Sequence, residues 1–410
     1  NKITESFSTD ICIIGAGLTG ISSALHLSNN GLKITILEAN KVGAGASGRN
    51  GGQLGIGMRK DQFFLEKKFG FEKAKFFWNI GLEAVQTVTN LIKKHEIDCA
   101  LTQGIMHVGN TKKDYKYFVE EMNHMEKKYD YTNYEYFNSK NIKDEVASDR
   151  YHSGILSKDS YHLNPLKLTY GLAEVCLENN VKIFENSPVD KIIDKHSEVH
   201  IHTNDHIIKS KKVIVACNGY LDDLLGSTRN FFMPINNYII ATEPLGETLA
   251  KKLIKRNCGV IDSRFMIDYY RFSEDHRLLF GGPETITSKF VKDAKNFVAK
   301  RMYKVFPEIK KYKIEFSWGG TLAISVNRLP ILGYLMNQKL IYSHAYSGHG
   351  LAMSVMAGKL ISEKILDKSN RFDMFNQIKH LKIPGGNILR RPIYSSAIIY
   401  YRAIDFLNRL

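Results

Sequence analysis

Gly15, Gly17 and Gly20, with Ala16, Leu18 and Thr19 between them, restrict this chain more tightly than any other feature of its sequence. Ahead of them stands Asp10-Ile11-Cys12-Ile13-Ile14, a short β-branched run of the kind that forms a strand buried on both faces. Behind them Ile21, Ala24, Leu25 and Leu27 recur at helical spacing until Asn29-Asn30-Gly31 stops the helix. Lys33-Ile34-Thr35-Ile36-Leu37 reads as a second strand that ends on Glu38 and Ala39. Strand, glycine turn, helix and strand in this order make a βαβ unit. Glu38 lies 18 residues beyond Gly20, as the dinucleotide-binding fingerprint requires. Gly15 permits the tight turn, Gly17 lets backbone approach a pyrophosphate, and Gly20 lets helix and sheet pack closely. The helix N-terminus offers unpaired N–H groups and the positive end of its dipole to phosphates. Glu38 is expected to accept hydrogen bonds from the adenosine ribose, and its charge to repel a 2′-phosphate. The fingerprint alone does not separate FAD from NAD.

At 410 residues the chain exceeds what one core usually organises, so two domains are expected. Hydrophobic content of 43% and charged content of 24% exclude a disordered chain. There is no run of 18 apolar residues, and the first residues lack a signal peptide's basic and apolar regions, so a cytoplasmic protein is expected. Five scattered cysteines without a CxxC pair argue against a disulfide framework or a metal site. The net charge of +15 comes mostly from dispersed Lys rather than from basic runs, which disfavours nucleic acid as a partner.

Helices are expected near 61–95, 165–180, 291–306 and 350–366, with strand signals at 181–184, 189–193, 199–203 and 212–216. Residues 231–290 read as antiparallel strands with a hairpin around Ser273–His276. Nucleotide-type elements and other material alternate, so the domains are discontinuous. Residues 1–60, 150–228 and 318–370 are assigned to the nucleotide-binding domain, and 61–149 with 229–317 to a substrate or cap domain. The tail, 371–410, is expected to pack on the protein rather than lie on a membrane surface.

Gly43–Gln53, GAGASGRNGGQ, holds five glycines and resists both helix and strand, yet carries Arg49, Asn50 and Gln53. Here the chain resembles the flavin-dependent D-amino-acid-oxidase-like family, whose members include sarcosine and glycine oxidases. Ser47-Gly48-Arg49-Asn50-Gly51-Gly52-Gln53 is most similar to its γ-glutamylputrescine oxidoreductase branch. The resemblance continues through Val213–Gly219, Tyr269-Tyr270-Arg271-Phe272, Arg277–Gly282, Trp318-Gly319-Gly320, Asn327–Gly333 and Tyr346-Ser347-Gly348-His349-Gly350. These blocks span nearly the whole chain in the family's order.

The resemblance implies an α/β fold: a Rossmann-like FAD/NAD(P)-binding domain with an inserted α+β substrate domain on an antiparallel sheet. It implies FAD, held without a covalent bond, since no Cys stands at the attachment positions of some relatives. Ser47, Gly48, Arg49, Asn50, Gly51, Gly52 and Gln53 are then expected to run past the cofactor's polar middle to its ring. Val189, after Ser187-Pro188, is expected at the adenine, and Ala216, Asn218 and Gly219 at the strand end beside it. Gly348, His349, Gly350 and Leu351 open a helix aimed at the flavin, where its dipole favours negative charge. His349 is a candidate base, with a positional role preferred; Tyr270 is the candidate substrate-orienting hydroxyl. A regular strand turns Arg271 to the face opposite Tyr270.

Two departures follow. Where relatives carry a carboxylate-binding Lys this chain has Ala352, and where they carry a Lys near flavin N5 it has Leu279. The first puts a small α-amino-acid substrate in doubt, the second oxygen as acceptor. The implied reaction is oxidation of a C–N bond by hydride transfer to flavin N5 and hydrolysis of the imine. The expected substrate is γ-glutamylputrescine-like or another extended amine of polyamine catabolism, with oxygen, a quinone or another carrier as acceptor. The alternatives are a D-amino acid, glycine or sarcosine oxidase or dehydrogenase, an amine oxidase acting on a tRNA wobble base, and a non-catalytic assembly flavoprotein.

Overall fold

The computed structural model describes residues 2–285, 289–384, 392, 395 and 396. Two sheets organise them. The first runs from edge to edge as Ile331–Leu335, Leu340–His344, His206–Val215, Phe7–Ile14, Ile34–Leu37 and Lys182–Phe184. All its neighbours on this path are parallel except the Ile331–Leu335 hairpin edge. Glu198–Thr203 and Lys191–Lys195 extend it antiparallel from the lower part of His206–Val215.

Ile11 and Ile13 face a core shared with the helices Leu18–Ser28, Pro165–Glu178 and Gly350–Ile365. Cys12 and Ile14 face a different core on the other side of the sheet. Burial on both faces is why this strand is continuously apolar instead of alternating.

The second sheet runs Ile314–Ser325, Phe232–Pro244, Arg277–Thr285, Tyr269–Phe272, Gly259–Asp262, Thr102–Gly109, Ser153–His162 and Gln53–Leu54. Only Gly259–Asp262 and Thr102–Gly109 run parallel on this path. One face packs on the helix Ala294–Val305 through residues such as Ile240, Phe280, Val298 and Met302.

Sheet membership moves three of the expected boundaries. The helices Gln62–Phe69 and Phe71–Lys94, assigned to the cap, pack in the first core. The reason is the apolar stripe Ala74, Phe77, Ile80, Ala84 and Val88, whose partner is the Gly350–Ile365 helix. A Cβ on Gly81 would lie 2.4 Å from Gly57 Cα, so the long helix rests directly on the loop before it. Ser153–His162 and Ile314–Ser325, assigned to the nucleotide-binding domain, are strands of the second sheet.

The glycine-rich run also differs from expectation: Ala46–Arg49 closes one helical turn and Gln53–Leu54 is a short strand. After the Gly350–Ile365 helix comes a further short one, Arg371–Asn376, which buries Phe372 and Phe375 in the first core. The apolar tail residues Ile398 to Leu407 lie outside the described residues. No helix among the described residues is long and apolar enough to cross a membrane.

Candidate active site

The parallel sheet ends where the second sheet begins, and a cavity of about 1030 Å³ occupies the junction. Its first half is built by the fingerprint. At Gly15 φ is +107°, and a Cβ there would stand 2.9 Å from Ala216 O. The left-handed region and this close crossing together require glycine. Gly17 begins the Leu18–Ser28 helix without a side-chain cap, and no acidic residue stands in the first turn. The positive helix end therefore opens toward the cavity uncompensated. A Cβ on Gly20 would lie 2.0 Å from Gly15 O, so this glycine shapes the turn from behind and does not line the cavity.

Glu38 is fixed at the end of the second strand. Ala16 N donates to its Oε2 at 2.8 Å and Asn40 N to its Oε1 at 2.9 Å. The carboxylate lines the cavity with lone pairs still free to accept. Ala39, Val189, Ala216 and Asn218 line the same end. Asn218 Oδ1 also accepts from Ala345 N at 3.0 Å, tying two strand ends together. Cys217 lies here too, but burial pushes its thiol up to about 12 and its Sγ donates to Ile14 O. It is no nucleophile at neutral pH.

The glycine-rich run crosses next. Ser47 Oγ accepts from Leu18 N at 2.9 Å, which leaves its own proton as a donor at the helix end. Arg49 donates to Ala44 O at 2.7 Å and Gly319 O at 3.1 Å, while Trp318 Nε1 donates to Arg49 O at 3.0 Å. Two of the sequence motifs thus hold each other. Asn50 serves the turn: its Nδ2 donates to Ala46 O and Ser47 O, and its Oδ1 accepts from Gly52 N. Gly51 and Gln53 line the cavity with Ser47, Arg49 and Asn50. Ala16, Gly48, Gly52 and Gly219 do not; a Cβ on Gly52 would lie 2.0 Å from Leu163 O. These four, like Gly20, are shaped by close backbone packing, not by a ligand.

The Gly350–Ile365 helix completes this part. Ser347 and Gly348 have φ of +55° and +85°, turning the chain so that Gly348, His349, Gly350 and Leu351 line the cavity. Burial first, and then the neighbouring Arg59, holds the His349 imidazole down to about 4. It is neutral at pH 7, and its Nε2 donates to Gly57 O at 3.0 Å.

Beyond these residues the cavity continues into a chamber of side chains that includes Arg59, Trp78, His107, Glu121, Tyr134 and Tyr269. Burial, with Arg59 beside it, brings His107 to about 4 as well. Burial and nearby Asp61 raise the Glu121 carboxyl to about 7.

Tyr270 requires correction. It is 1% exposed, lies parallel to Phe280 at 5.2 Å between centroids, and donates to Tyr151 OH at 2.9 Å inside the second core. Tyr269 takes the cavity-facing place, its hydroxyl bonded to Asn237 Oδ1. Strand alternation explains the exchange: Tyr269 shares a face with Arg271, whose Nε donates to Gly51 O at 2.7 Å beneath the glycine-rich run. The signal was Gly281, paired opposite Tyr269, where a Cβ would lie 2.3 Å from the Tyr269 ring. Glycine inside a strand marks such an approach.

Ala352 and Leu279 also lie elsewhere than expected. Neither lines the cavity: Ala352 is buried in the first core, and Leu279 pairs with Arg271, two residues from Gly281. Their identities therefore decide nothing about a substrate carboxylate or about oxygen. Arg59, His107, Glu121 and Tyr134 had no distinguishing pattern in the sequence, because the cavity collects them from separate elements. Among the described residues no group of three or more His, Cys, Asp or Glu is placed to hold a metal ion.

The glycine cradle, the uncapped helix end and the anchored Glu38 together fit an adenine dinucleotide. The DAO family, described as FAD dependent oxidoreductase, matches residues 10–364. Gamma-glutamylputrescine oxidoreductase of Escherichia coli (strain K12) is 35% identical over 409 residues, covering 100% of this chain and 95% of its own. A probable oxidoreductase, OrdL, of Haemophilus influenzae is 33% identical over 407 residues, covering 98% and 93%. Among solved structures, glycine oxidase from Geobacillus kaustophilus superposes with a TM-score of 0.78 at 16% identity, covering 92% of this chain and 100% of its own. L-proline dehydrogenase from P. horikoshii reaches 0.72 at 19% identity, covering 91% and 96%. With the family matched over most of its length and a full-length relative above 30% identity, this chain belongs to the FAD-dependent oxidoreductases of the DAO family.

Proposed function

We propose that this chain oxidises the amine of an extended substrate, with γ-glutamylputrescine or a similar polyamine conjugate as the preferred class. One observation carries the reading: the cavity runs without interruption from the dinucleotide cradle into the side-chain chamber at Tyr269 and His107. A long, partly polar molecule suits such a chamber, and the full-length relative is named for an amine of that kind.

FAD, held non-covalently, supplies the two-electron acceptor, and water then hydrolyses the imine of the oxidised substrate. Gly15, Gly17 and Ser47 would hold its phosphates, Glu38 its ribose, and the Gly350–Ile365 helix end its ring. The chain's own residues orient and exclude water. Tyr269, fixed by Asn237, presents a hydroxyl to the substrate. It stays protonated, since burial raises it above its ordinary value. His349 holds the Gly55–Lys60 segment against the helix start and serves in position, not as a base, because its Nε2 is committed to Gly57 O.

The test is product analysis with FAD-loaded protein and a panel of amines. An aldehyde from γ-glutamylputrescine and none from glycine, sarcosine or D-alanine supports the reading. Turnover of the small amino acids alone overturns the substrate class. Oxygen consumption identifies oxygen as acceptor, and turnover only with added quinone identifies the quinone.

A further inference from the structure

Arg59 and Lys60 line the chamber, and Arg328 stands close enough to both to act on their charge. None of the three is in an ion pair among the described residues. Lys60 lies over the Phe64 ring at 4.8 Å and Arg328 over the Phe265 ring at 5.3 Å, while the Arg59 side chain has no hydrogen bond among the described residues. Other part-buried arginines are paired: Arg256 with Glu135 and Glu145, Arg264 with Asp262 and Asp268, Arg371 with Glu83 and Glu363. Arg59 differs from all of these.

Three like charges brought together without a counter-ion repel one another, and burial adds to the cost. Burial first, then Arg328, pulls the Arg59 guanidinium below its ordinary value; for Lys60 the order is burial, Arg328, Arg59. Glu284, also on the cavity wall, offsets part of this charge at Arg59. His107 and His349 adjoin Arg59 and are neutral at pH 7, so they add no positive charge and compete for no anion. What remains is one guanidinium fork on the chamber wall in a positive field. That chemistry matches a carboxylate, which the fork can bind through two parallel N–H bonds.

We infer that Arg59 is the specificity residue of this cavity and that the substrate, besides its amine, carries a carboxylate which Arg59 binds. The inference rests on the amine-oxidising reading and narrows it: an amine without a negative group is a poor ligand.

The experiment uses FAD-loaded protein and two ligands that cannot be oxidised, γ-glutamylbutylamide and its α-carboxamide, which has the same shape without the charge. Their affinities are measured by calorimetry for the wild type, Arg59→Gln and Arg59→Lys, with turnover of γ-glutamylputrescine followed beside them. The wild type should prefer the carboxylate about 30-fold or more, as for a desolvated charge pair. Arg59→Gln should lose the preference while keeping its FAD, and Arg59→Lys should keep part of it. Equal affinity in the wild type, no binding of either ligand, or a preference that survives Arg59→Gln overturns the inference. A preference that behaves as stated, in a protein that oxidises no γ-glutamylputrescine, upholds Arg59 and rejects the reaction.

Discussion

The Tyr270 hydroxyl donates to Tyr151 at 2.9 Å in the second core, whereas the adjacent Tyr269 hydroxyl bonds Asn237 at the cavity wall. Replacing each by Phe therefore separates two effects. Tyr270→Phe should leave kcat and KM unchanged and lower stability by about 1–2 kcal/mol, the cost of a buried hydroxyl left without its partner. Tyr269→Phe should lower kcat/KM by about tenfold, the equivalent of one hydrogen bond, with the melting temperature nearly unchanged. Steady-state kinetics and thermal melting on the two variants check both. Buried histidines give a third prediction. His107, His162, His349 and His380 are held down to about 4 and His344 to about 3, against an ordinary 6.5, in each case mainly by burial. Between those values the unfolded chain binds protons that the folded chain refuses. Stability must then fall as pH drops from about 6.5 toward 4 and level off below. Denaturant unfolding at a series of pH values measures this; constant stability from about pH 7 to 4.5 would contradict it.

The glycines of the first βαβ unit decide whether its helix can reach the sheet. A Cβ on Gly20 would meet Gly15 O at 2.0 Å, so Gly20→Ala should push the Leu18–Ser28 helix off the strand and lower FAD content on purification. The βαβ unit was fully legible in the sequence because every cue, from β-branched run to glycine spacing to acid, is local. The glycine-rich run was legible only as backbone to be approached closely. That Ala46–Arg49 closes a helical turn depends on Asn50 and on Trp318, which lies far away in the chain. The face of the Tyr269–Phe272 strand turned on a single residue of register, and only the partner glycine Gly281 carried that information. Helix positions read well by periodicity, but the core they joined did not. The Phe71–Lys94 helix belongs with the Gly350–Ile365 helix, and Arg371 bridges them through Glu83 and Glu363. Arg371→Ala should lower stability by about 1–3 kcal/mol by leaving two carboxylates without their cation, which thermal melting can detect.

At the scale of the whole molecule, two sheets of different topology share one cavity at the end of the parallel strands. That is where an open α/β sheet places its ligands. Discontinuous organisation was visible in the alternation of strand and helix signals, but the boundaries were not. A strand such as Ser153–His162 joins one sheet or the other through pairings with distant segments, which local pattern does not encode. The chamber's side chains come from the Gly55–Lys60 segment, two helices and three strands of the second sheet, and their convergence exists only in three dimensions. On the proposed function, this shared cavity brings an extended amine to a bound flavin. The visible flavin spectrum of the purified protein, followed anaerobically as γ-glutamylputrescine is added, measures that directly. A yellow protein is expected, whose flavin band bleaches in proportion to added amine and returns when acceptor is admitted. A protein that binds no FAD, or a bound flavin that no amine reduces, would contradict it.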